Sequence, residues 1–225
     1  DHLEKYEAVI WLASVSNNAM YEVNRQLTHS VNTSVPSCLG YKFIYASSVA
    51  VLDTTSDYAK DKLYFEAELE NRGANIVRAA SVVGYAPNMR FDTTVNRMTH
   101  DAYKYGVITV NGGEQVRTHV HIDDLCDFYR GVISSKNNAP VTLCAISQKV
   151  SDSALNVQRC FEDMGKSVRI ETKPRSDDRS YSVDLKYEWK CKSVFDGVRD
   201  IIARFDQGMW KDTTDEKLWR INRSI

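Results

Sequence analysis

Three short apolar runs limit the fold of this chain more than any other feature of its sequence. They cover residues 8–13, 43–46 and 76–80, and none shows polar alternation. Continuous apolar runs of this kind predict β-strands that are covered on both faces. Residues 57–72 separate the second run from the third and carry apolar side chains at helical spacing, with Gly73 as the stop. Strand, helix and strand in this order predict a parallel α/β sheet with right-handed crossovers.

The second half of the chain predicts further short strands and helices. We expect strands at 107–110, 119–122, 141–146 and 168–171. We expect helices at 93–105, 123–133, 151–164 and 193–207, with Ser151 capping the third of them. Between the first two apolar runs, the segment 32–43 leaves little room for a helix.

The composition excludes several classes of protein. A chain of 225 residues with 43% hydrophobic residues can bury a core without disulfides or metals. Its net charge of -1 favours neither nucleic acid nor an anionic membrane, and no apolar run approaches the roughly 18 residues of a membrane helix. Five cysteines without a Cys-x-x-Cys pair predict thiols in a reducing cytoplasm. His119 and His121 lack further ligands at suitable spacing, so we expect no metal site.

The most informative motif joins the second strand to the helix after it. Ser47 and Ser48 end the strand, and Tyr58 and Lys62 stand one helical turn apart on one face of the helix. A lysine ammonium beside a tyrosine favours the tyrosinate, so such a tyrosine can act as a general acid or base near neutral pH. Open α/β sheets bind ligands at the carboxyl ends of their strands, where the serines lie. The other interpretation of Tyr58 and Lys62 is a half-buried tyrosine beside a solvated lysine.

These residues resemble the extended short-chain dehydrogenase/reductases, the NAD-dependent epimerase/dehydratase enzymes that act on nucleotide sugars. The resemblance rests on FIYASS at 43–48, followed by Tyr58, Lys62 and Glu66. Three more segments match in the same order, and together they extend the resemblance over nearly the whole chain. They are VIWLAS at 9–14, VRAASVVG at 77–84 and GEQVRTHVHIDD at 113–124.

The resemblance implies a role for each matching residue. It makes Tyr58 the catalytic acid/base, Lys62 the residue that holds the nicotinamide ribose, and Ser48 a hydrogen-bond partner of the reacting oxygen. It implies NAD or NADP as the cofactor and a nucleotide sugar as the substrate. The implied cofactor-binding residues are Leu12, Ala13, Ser14, Ser47, Tyr58 and Lys62. The implied substrate-binding residues are Ser81, Arg90, Asn96, Arg117 and Arg179, of which Arg117 suits a diphosphate because guanidinium is a planar fork of donors.

The same resemblance implies a Rossmann-like parallel sheet with a smaller C-terminal α/β substrate lobe. Residues 1–84 would form the remainder of the cofactor domain, and 85–225 would form mainly the substrate lobe, with about 107–146 returning to the main sheet. The sequence departs from the family because its N-terminal strands and the glycine-rich phosphate loop are missing. Either segments of a complete enzyme are omitted from this sequence, or the chain is a reduced homologue.

The function predicted from these residues is that of an NAD(P)-dependent nucleotide-sugar epimerase, or of a related reductase or dehydratase. A dehydratase would place acidic residues after the catalytic serine, whereas Val49 and Ala50 stand there and favour an epimerase or reductase. The alternative is a non-catalytic homologue that binds a nucleotide sugar or a partner and has lost its cofactor half. The resemblance also implies a homodimer through a four-helix contact that includes the Tyr58 helix.

Overall fold

The computed structural model describes residues 6–16, 19–34, 42–134, 141–143, 146–174, 180, 182–183 and 191–209. Two compact units divide the chain: Asp1–Ala80 with Cys126–Leu143, and Ser81–Leu125 with Cys144–Ile225. No helix within the described residues is long and apolar enough to cross a membrane.

Strands and helices alternate along most of the described chain. The strands are β1 (Ala8–Trp11), β2 (Lys42–Ser48), β3 (Asn75–Ala79), β4 (Ser81–Val83), β5 (Val107–Asn111), β6 (Val116–His121), β7 (Val141–Leu143), β8 (Ile146–Lys149) and β9 (Arg169–Lys173). The helices are α1 (Ala19–Thr33), α2 (Asp57–Glu70), α3 (Thr94–Tyr105), α4 (Ile122–Ser134), α5 (Val150–Glu162) and α6 (Val194–Asp206).

The first unit is built on a parallel sheet with the strand order β1-β2-β3-β7. All three pairings in this sheet are parallel, which confirms the fold predicted from the apolar runs. Phe43 and Tyr45 of β2 pack with Phe65 and Leu69 of α2 in the core of this unit. The side chain of Ser56 accepts a hydrogen bond from the Ala59 amide and so caps α2 at its first turn.

Helix α1 is the main feature that the sequence pattern missed. It occupies Ala19–Thr33, with a kink at Asn24, whose backbone is not helical, and it lies almost wholly before the segment 32–43, in which a helix seemed not to fit. Its buried side chains include the polar residues Thr28 and Asn32, whereas Val23 and Leu27 are exposed. Val23, Leu27 and Val31 do recur at helical spacing in the sequence, but they are exposed, and the buried side of α1 combines Tyr21 with the polar Thr28 and Asn32.

The second unit contains a three-stranded sheet, β4-β6-β8, and a separate parallel pair, β5-β9. Strand β6 pairs with β4 in parallel and with β8 in antiparallel orientation. Helices α3, α5 and α6 enclose the core of this unit, in which Ile108, Val157 and Ile202 are completely buried.

Two expectations in the second half of the chain were wrong. The single strand expected at 141–146 is two strands, because β7 pairs with β3 in the first unit and β8 pairs with β6 in the second. Ser151 does not cap α5, because the helix begins one residue earlier. The backbone N–H of Ser151 instead donates to the carbonyl of Gly113 at 3.0 Å. α6 begins after Ser193, which forms a reciprocal capping box with Asp196.

Candidate active site

The candidate site of the first unit begins where β2 ends. Ser48 is the last residue of β2 and the N-cap of a short 3-10 turn over Val49–Leu52. Its Oγ accepts the amide of Ala50 at 3.2 Å, which orients the hydroxyl at the end of the strand. Strand β1 runs parallel to β2, so the segment that follows Trp11 leaves the sheet at the same carboxyl edge.

Helix α2 brings Tyr58 and Lys62 to this edge. Tyr58 is half-buried, whereas Lys62 is only 2% exposed. The Lys62 Nζ donates a hydrogen bond of 2.9 Å to the carbonyl of Ala46 in β2. The same Nζ lies 4.6 Å from the ring centroid of Tyr45 and 5.9 Å from that of Tyr58. The ammonium is thus held between the sheet and the two aromatic rings, and the interpretation of Lys62 as a solvated lysine was wrong.

Burial controls the ionisation of this site. It lowers the pKa of Lys62 to about 8, against the opposing effect of the Glu66 carboxylate one turn later. Glu66 is itself buried and forms an ion pair with Arg78 of β3, in which Nη2 and Oε2 are 2.6 Å apart. Burial also raises the pKa of the Tyr45 hydroxyl well above its ordinary value of 10.0, with the Tyr58 and Glu66 charges adding to the effect. Tyr45 therefore stays protonated and serves as a packing residue.

The other residues assigned to cofactor binding lie at the ends of β1 and β2, at the same sheet edge. Leu12 and Ala13 are exposed, whereas the Oγ of Ser14 donates to the side chain of Asn32 at 3.0 Å. Ser47 has a buried Oγ for which the described residues supply no hydrogen-bond partner. Such a hydroxyl requires a polar group from elsewhere.

The donor set at this edge fits the ribose of a nicotinamide dinucleotide. A lysine ammonium carries three donors, and the hydrogen bond that the described residues show for Lys62, to Ala46, uses one of them. Ribose hydroxyls accept hydrogen bonds from such an ammonium and also donate to a serine Oγ such as that of Ser47. The residues present are therefore chemically suited to the predicted group.

Four of the five residues assigned to the substrate lie in the described part of the second unit, and Arg179 lies outside the described residues. Asn96 is buried, donates to the carbonyl of Arg90 at 3.1 Å, and has an Oδ1 without a partner among the described residues. Arg117 is a half-buried residue of β6, and Ser81 begins β4. The guanidinium of Arg90 forms an ion pair with Asp92.

His119 is a deeply buried histidine of β6 whose ionisation is shifted. His119 is 1% exposed, and burial together with the Arg117 charge lowers its pKa to about 4. It is therefore a neutral packing histidine at physiological pH. Among the described residues, no group of three or more His, Cys, Asp or Glu side chains is arranged to hold a metal ion.

The sequence pattern missed a set of polar residues beside the site. Tyr21 and His29 of α1 contact Asp61 of α2, which directly precedes Lys62, and Asn32 donates to the Tyr21 oxygen. The motifs that predict the site include none of these residues, because their pairing depends on contacts between parts of the chain that are distant in sequence.

A parallel sheet that carries Ser48 at the end of one strand and the Tyr58–Lys62 pair on the next helix defines a Rossmann-like α/β protein with a candidate acid–base site. The chain belongs to the NAD dependent epimerase/dehydratase family, whose sequence model matches residues 5–143. No curated protein sequence matches the chain.

Solved structures match over nearly the whole chain. UDP-glucose 4-epimerase from Thermotoga maritima, solved with UDP-glucose, is 18% identical with a TM-score of 0.78, and the match covers 92% of this chain and 79% of the epimerase. UDP-glucuronic acid 4-epimerase from Bacillus cereus, solved with UDP-glucuronic acid and NAD, is 18% identical with a TM-score of 0.72, covering 91% and 77%. L-threonine dehydrogenase from Phytophthora infestans is 18% identical with a TM-score of 0.74, covering 91% and 80%. At these identities the matches confirm the extended Rossmann-like fold.

Proposed function

We propose that this protein is an NAD(P)-dependent nucleotide-sugar epimerase or a closely related reductase or dehydratase. The observation that carries the proposal is the buried ammonium of Lys62, held 5.9 Å from the ring centroid of Tyr58 at the carboxyl edge of a parallel sheet. A lysine rarely enters the interior without a partner or a task. Family membership and the complexes of the two matched sugar epimerases support the substrate class.

The chain's own residues divide the acid–base work. The Lys62 ammonium stabilises Tyr58 as a tyrosinate, whose Oη takes a proton from a sugar hydroxyl and so becomes a neutral phenol. The Ser48 hydroxyl, fixed at the end of β2, donates a hydrogen bond to the same sugar oxygen. When bound, the nicotinamide dinucleotide supplies the acceptor for the hydride that leaves the sugar carbon.

Binding would be shared between the two sets of residues that the sequence assigns. Leu12, Ala13, Ser14, Ser47, Tyr58 and Lys62 would hold the cofactor, which is NAD or NADP. Ser81, Arg90, Asn96, Arg117 and Arg179 would hold the nucleotide sugar. The buried Oδ1 of Asn96 supports its part of this assignment, because it has no partner among the described residues.

The residues after Ser48 favour epimerisation or reduction over dehydration. Neither Val49 nor Ala50 carries an ionisable group, and Val49 is also buried. Neither residue can therefore supply an acid to a leaving hydroxyl. A dehydratase of this design would need that acid from another part of the molecule.

We also propose that the protein is a homodimer in the cytoplasm. Exposed apolar side chains lie on the two helices of the first unit that flank the site: Val23, Leu27 and Val31 on α1, and Leu63 and Tyr64 on α2. Apolar stripes on neighbouring helices suit the helical contact of a dimer.

Replacement of Tyr58 by phenylalanine tests the proposal. Tyr58→Phe keeps the ring and removes the titrating hydroxyl, so we expect turnover of UDP-sugars to fall by about 10²–10⁴-fold while sugar nucleotide binding stays within twofold. Tyr64→Phe on the same helix is the matched control, because Tyr64 is 58% exposed, and it should retain full activity.

Two outcomes would contradict this function. A Tyr58→Phe variant that keeps more than half of the wild-type rate removes Tyr58 from the mechanism. A wild-type protein that binds UDP-sugars in calorimetry, but binds neither NAD(H) nor NADP(H) and does not turn the sugars over, would instead establish the non-catalytic alternative.

A further inference from the structure

Five side chains form a continuous hydrogen-bonded series through the first unit. The Nδ1 of His29 lies 2.9 Å from Oδ1 of Asp61, and the hydroxyl of Tyr21 donates to Oδ2 of Asp61 at 2.6 Å. Asn32 continues the series, since its Nδ2 donates to the Tyr21 oxygen at 2.9 Å. Its Oδ1 accepts the hydroxyl of Ser14 at 3.0 Å. The series thus runs from α2 through α1 to the segment after β1.

Most of this series is removed from water. Asp61 is 8% exposed, Tyr21 is 7% exposed and Asn32 is 3% exposed. Burying a carboxylate is unfavourable unless hydrogen bonds satisfy it, and here two partners do so. A fully satisfied buried polar network fixes one arrangement of its members, because any shift leaves a polar group without a partner.

Two members of the series, Asp61 and Asn32, adjoin residues of the candidate site. Asp61 directly precedes Lys62 in α2, one turn from Tyr58. At the other end, Asn32 holds both backbone groups of Val15, with its Oδ1 accepting the N–H at 2.8 Å and its Nδ2 donating to the carbonyl at 3.0 Å. The segment Ser14–Val15 continues the residues assigned to cofactor binding.

We propose that Asp61 is a positioning residue that holds the Ser14–Val15 segment in register with the catalytic helix through Tyr21 and Asn32. The inference rests on the proposed function, because its consequence is a fixed distance between the cofactor-lining segment and the Tyr58–Lys62 pair. Asp61 acts through its neighbours, and its partners in the series are Tyr21 and His29.

Hydrogen exchange at the Val15 amide tests the mechanical part without any cofactor. Asp61→Ala removes the acceptor of Tyr21 without touching Val15, and we expect exchange at the Val15 amide to accelerate at least fivefold. Asp61→Asn retains a carbonyl oxygen for Tyr21 and an amide for His29, so it should restore the wild-type rate. Tyr21→Phe removes only the hydroxyl and should also accelerate exchange, which keeps the test decisive if Asp61→Ala does not fold.

Asp57→Ala is the matched control for these variants. Asp57 also joins α2 to α1, through an ion pair of 2.9 Å with Arg25, but it lies outside the series. Exchange at Val15 should be unchanged in this variant. Equal rates in wild type, Asp61→Ala and Tyr21→Phe, or equal acceleration in Asp57→Ala, would overturn the proposal.

Titration with NADH tests the functional part. We expect Asp61→Ala to raise the Kd for NADH and the KM for NAD about tenfold, with kcat reduced less, and Asp61→Asn to bind as the wild type does. Accelerated exchange at Val15 with unchanged NADH affinity would overturn the link to the cofactor. If the wild type binds neither NADH nor NADPH, the proposed function fails on its own, and the exchange experiment still decides whether the series holds Ser14–Val15.

Discussion

Replacement of Lys62 by methionine should make the protein more stable and catalytically inactive. The Lys62 side chain lies in the interior, with its ammonium donating to the Ala46 carbonyl and facing the ring of Tyr45. Methionine has a similar length, is flexible and carries no charge, so Lys62→Met fills the same space without a buried ion. The variant therefore separates what this residue does for the reaction from what it does to the fold.

The magnitude follows from the ionisation of the lysine. Burial lowers the pKa of Lys62 from an ordinary 10.5 to about 8, with Glu66 opposing the shift. At pH 7 the charged side chain therefore costs about 3 kcal/mol relative to a neutral one, at about 1.4 kcal/mol for each pH unit. Loss of the hydrogen bond to Ala46 reduces the stabilisation expected for Lys62→Met by about 1 kcal/mol. We expect Lys62→Met to raise the free energy of unfolding by about 2 kcal/mol at pH 7.

Urea unfolding at several pH values is the appropriate assay. Because the unfolded chain binds a proton at Lys62 that the folded chain has lost, wild-type stability gains from this residue as the pH rises from about 8 to 10.5. The advantage of Lys62→Met should therefore shrink over that window. Lys60→Met is the matched control, because the Lys60 side chain is 59% exposed on the same helix, and its stability should change by less than about 0.5 kcal/mol.

Two results would refute this reasoning. One is a Lys62→Met variant that is less stable than the wild type by more than about 1 kcal/mol at pH 7, which would mean that the ammonium is net stabilising. The other is a difference in unfolding free energy between Lys62→Met and the wild type that does not change between pH 7 and pH 10.5. That result would mean that the difference does not come from the lysine charge.

Two further predictions concern the second unit. Arg117→Ala should weaken binding of a UDP-sugar in calorimetry by about tenfold to a hundredfold, since a charge-assisted hydrogen bond to phosphate contributes roughly 1.5–3 kcal/mol. Arg97→Ala is the control, because the Arg97 side chain is 57% exposed. Equal affinities of the wild type and Arg117→Ala would show that Arg117 does not contact the phosphates. The lowered pKa of His119, about 4 against an ordinary 6.5, means that only the unfolded chain binds its proton in that window. Wild-type stability should therefore fall by about 3 kcal/mol more than that of His119→Gln as the pH drops from 7 to 4, and parallel pH profiles would contradict this.

Elements with a strong local signal were predictable from the sequence. β1, β2 and β3 coincide with continuous apolar runs, and α2 begins after its Ser56 cap, so the parallel sheet of the first unit is confirmed. α1 was missed although Val23, Leu27 and Val31 recur at helical spacing, because these apolar residues are exposed and the buried side of the helix is largely polar, with Thr28 and Asn32 beside Tyr21. The segment 141–146 was assigned to one strand because nothing in its apolar pattern shows that the chain passes from one sheet to another.

The sequence by itself determined the family, the parallel α/β fold and the identity of the Ser48, Tyr58 and Lys62 motif. These depend on spacing along the chain, which is a local property. Only the tertiary structure decided that Lys62 is buried beneath two aromatic rings, and that Asp61 is tied through α1 to the segment after β1. The physical reason is that burial and hydrogen bonding depend on groups distant in sequence. The sequence alone does not show whether a polar side chain forms its hydrogen bonds with water or with another side chain.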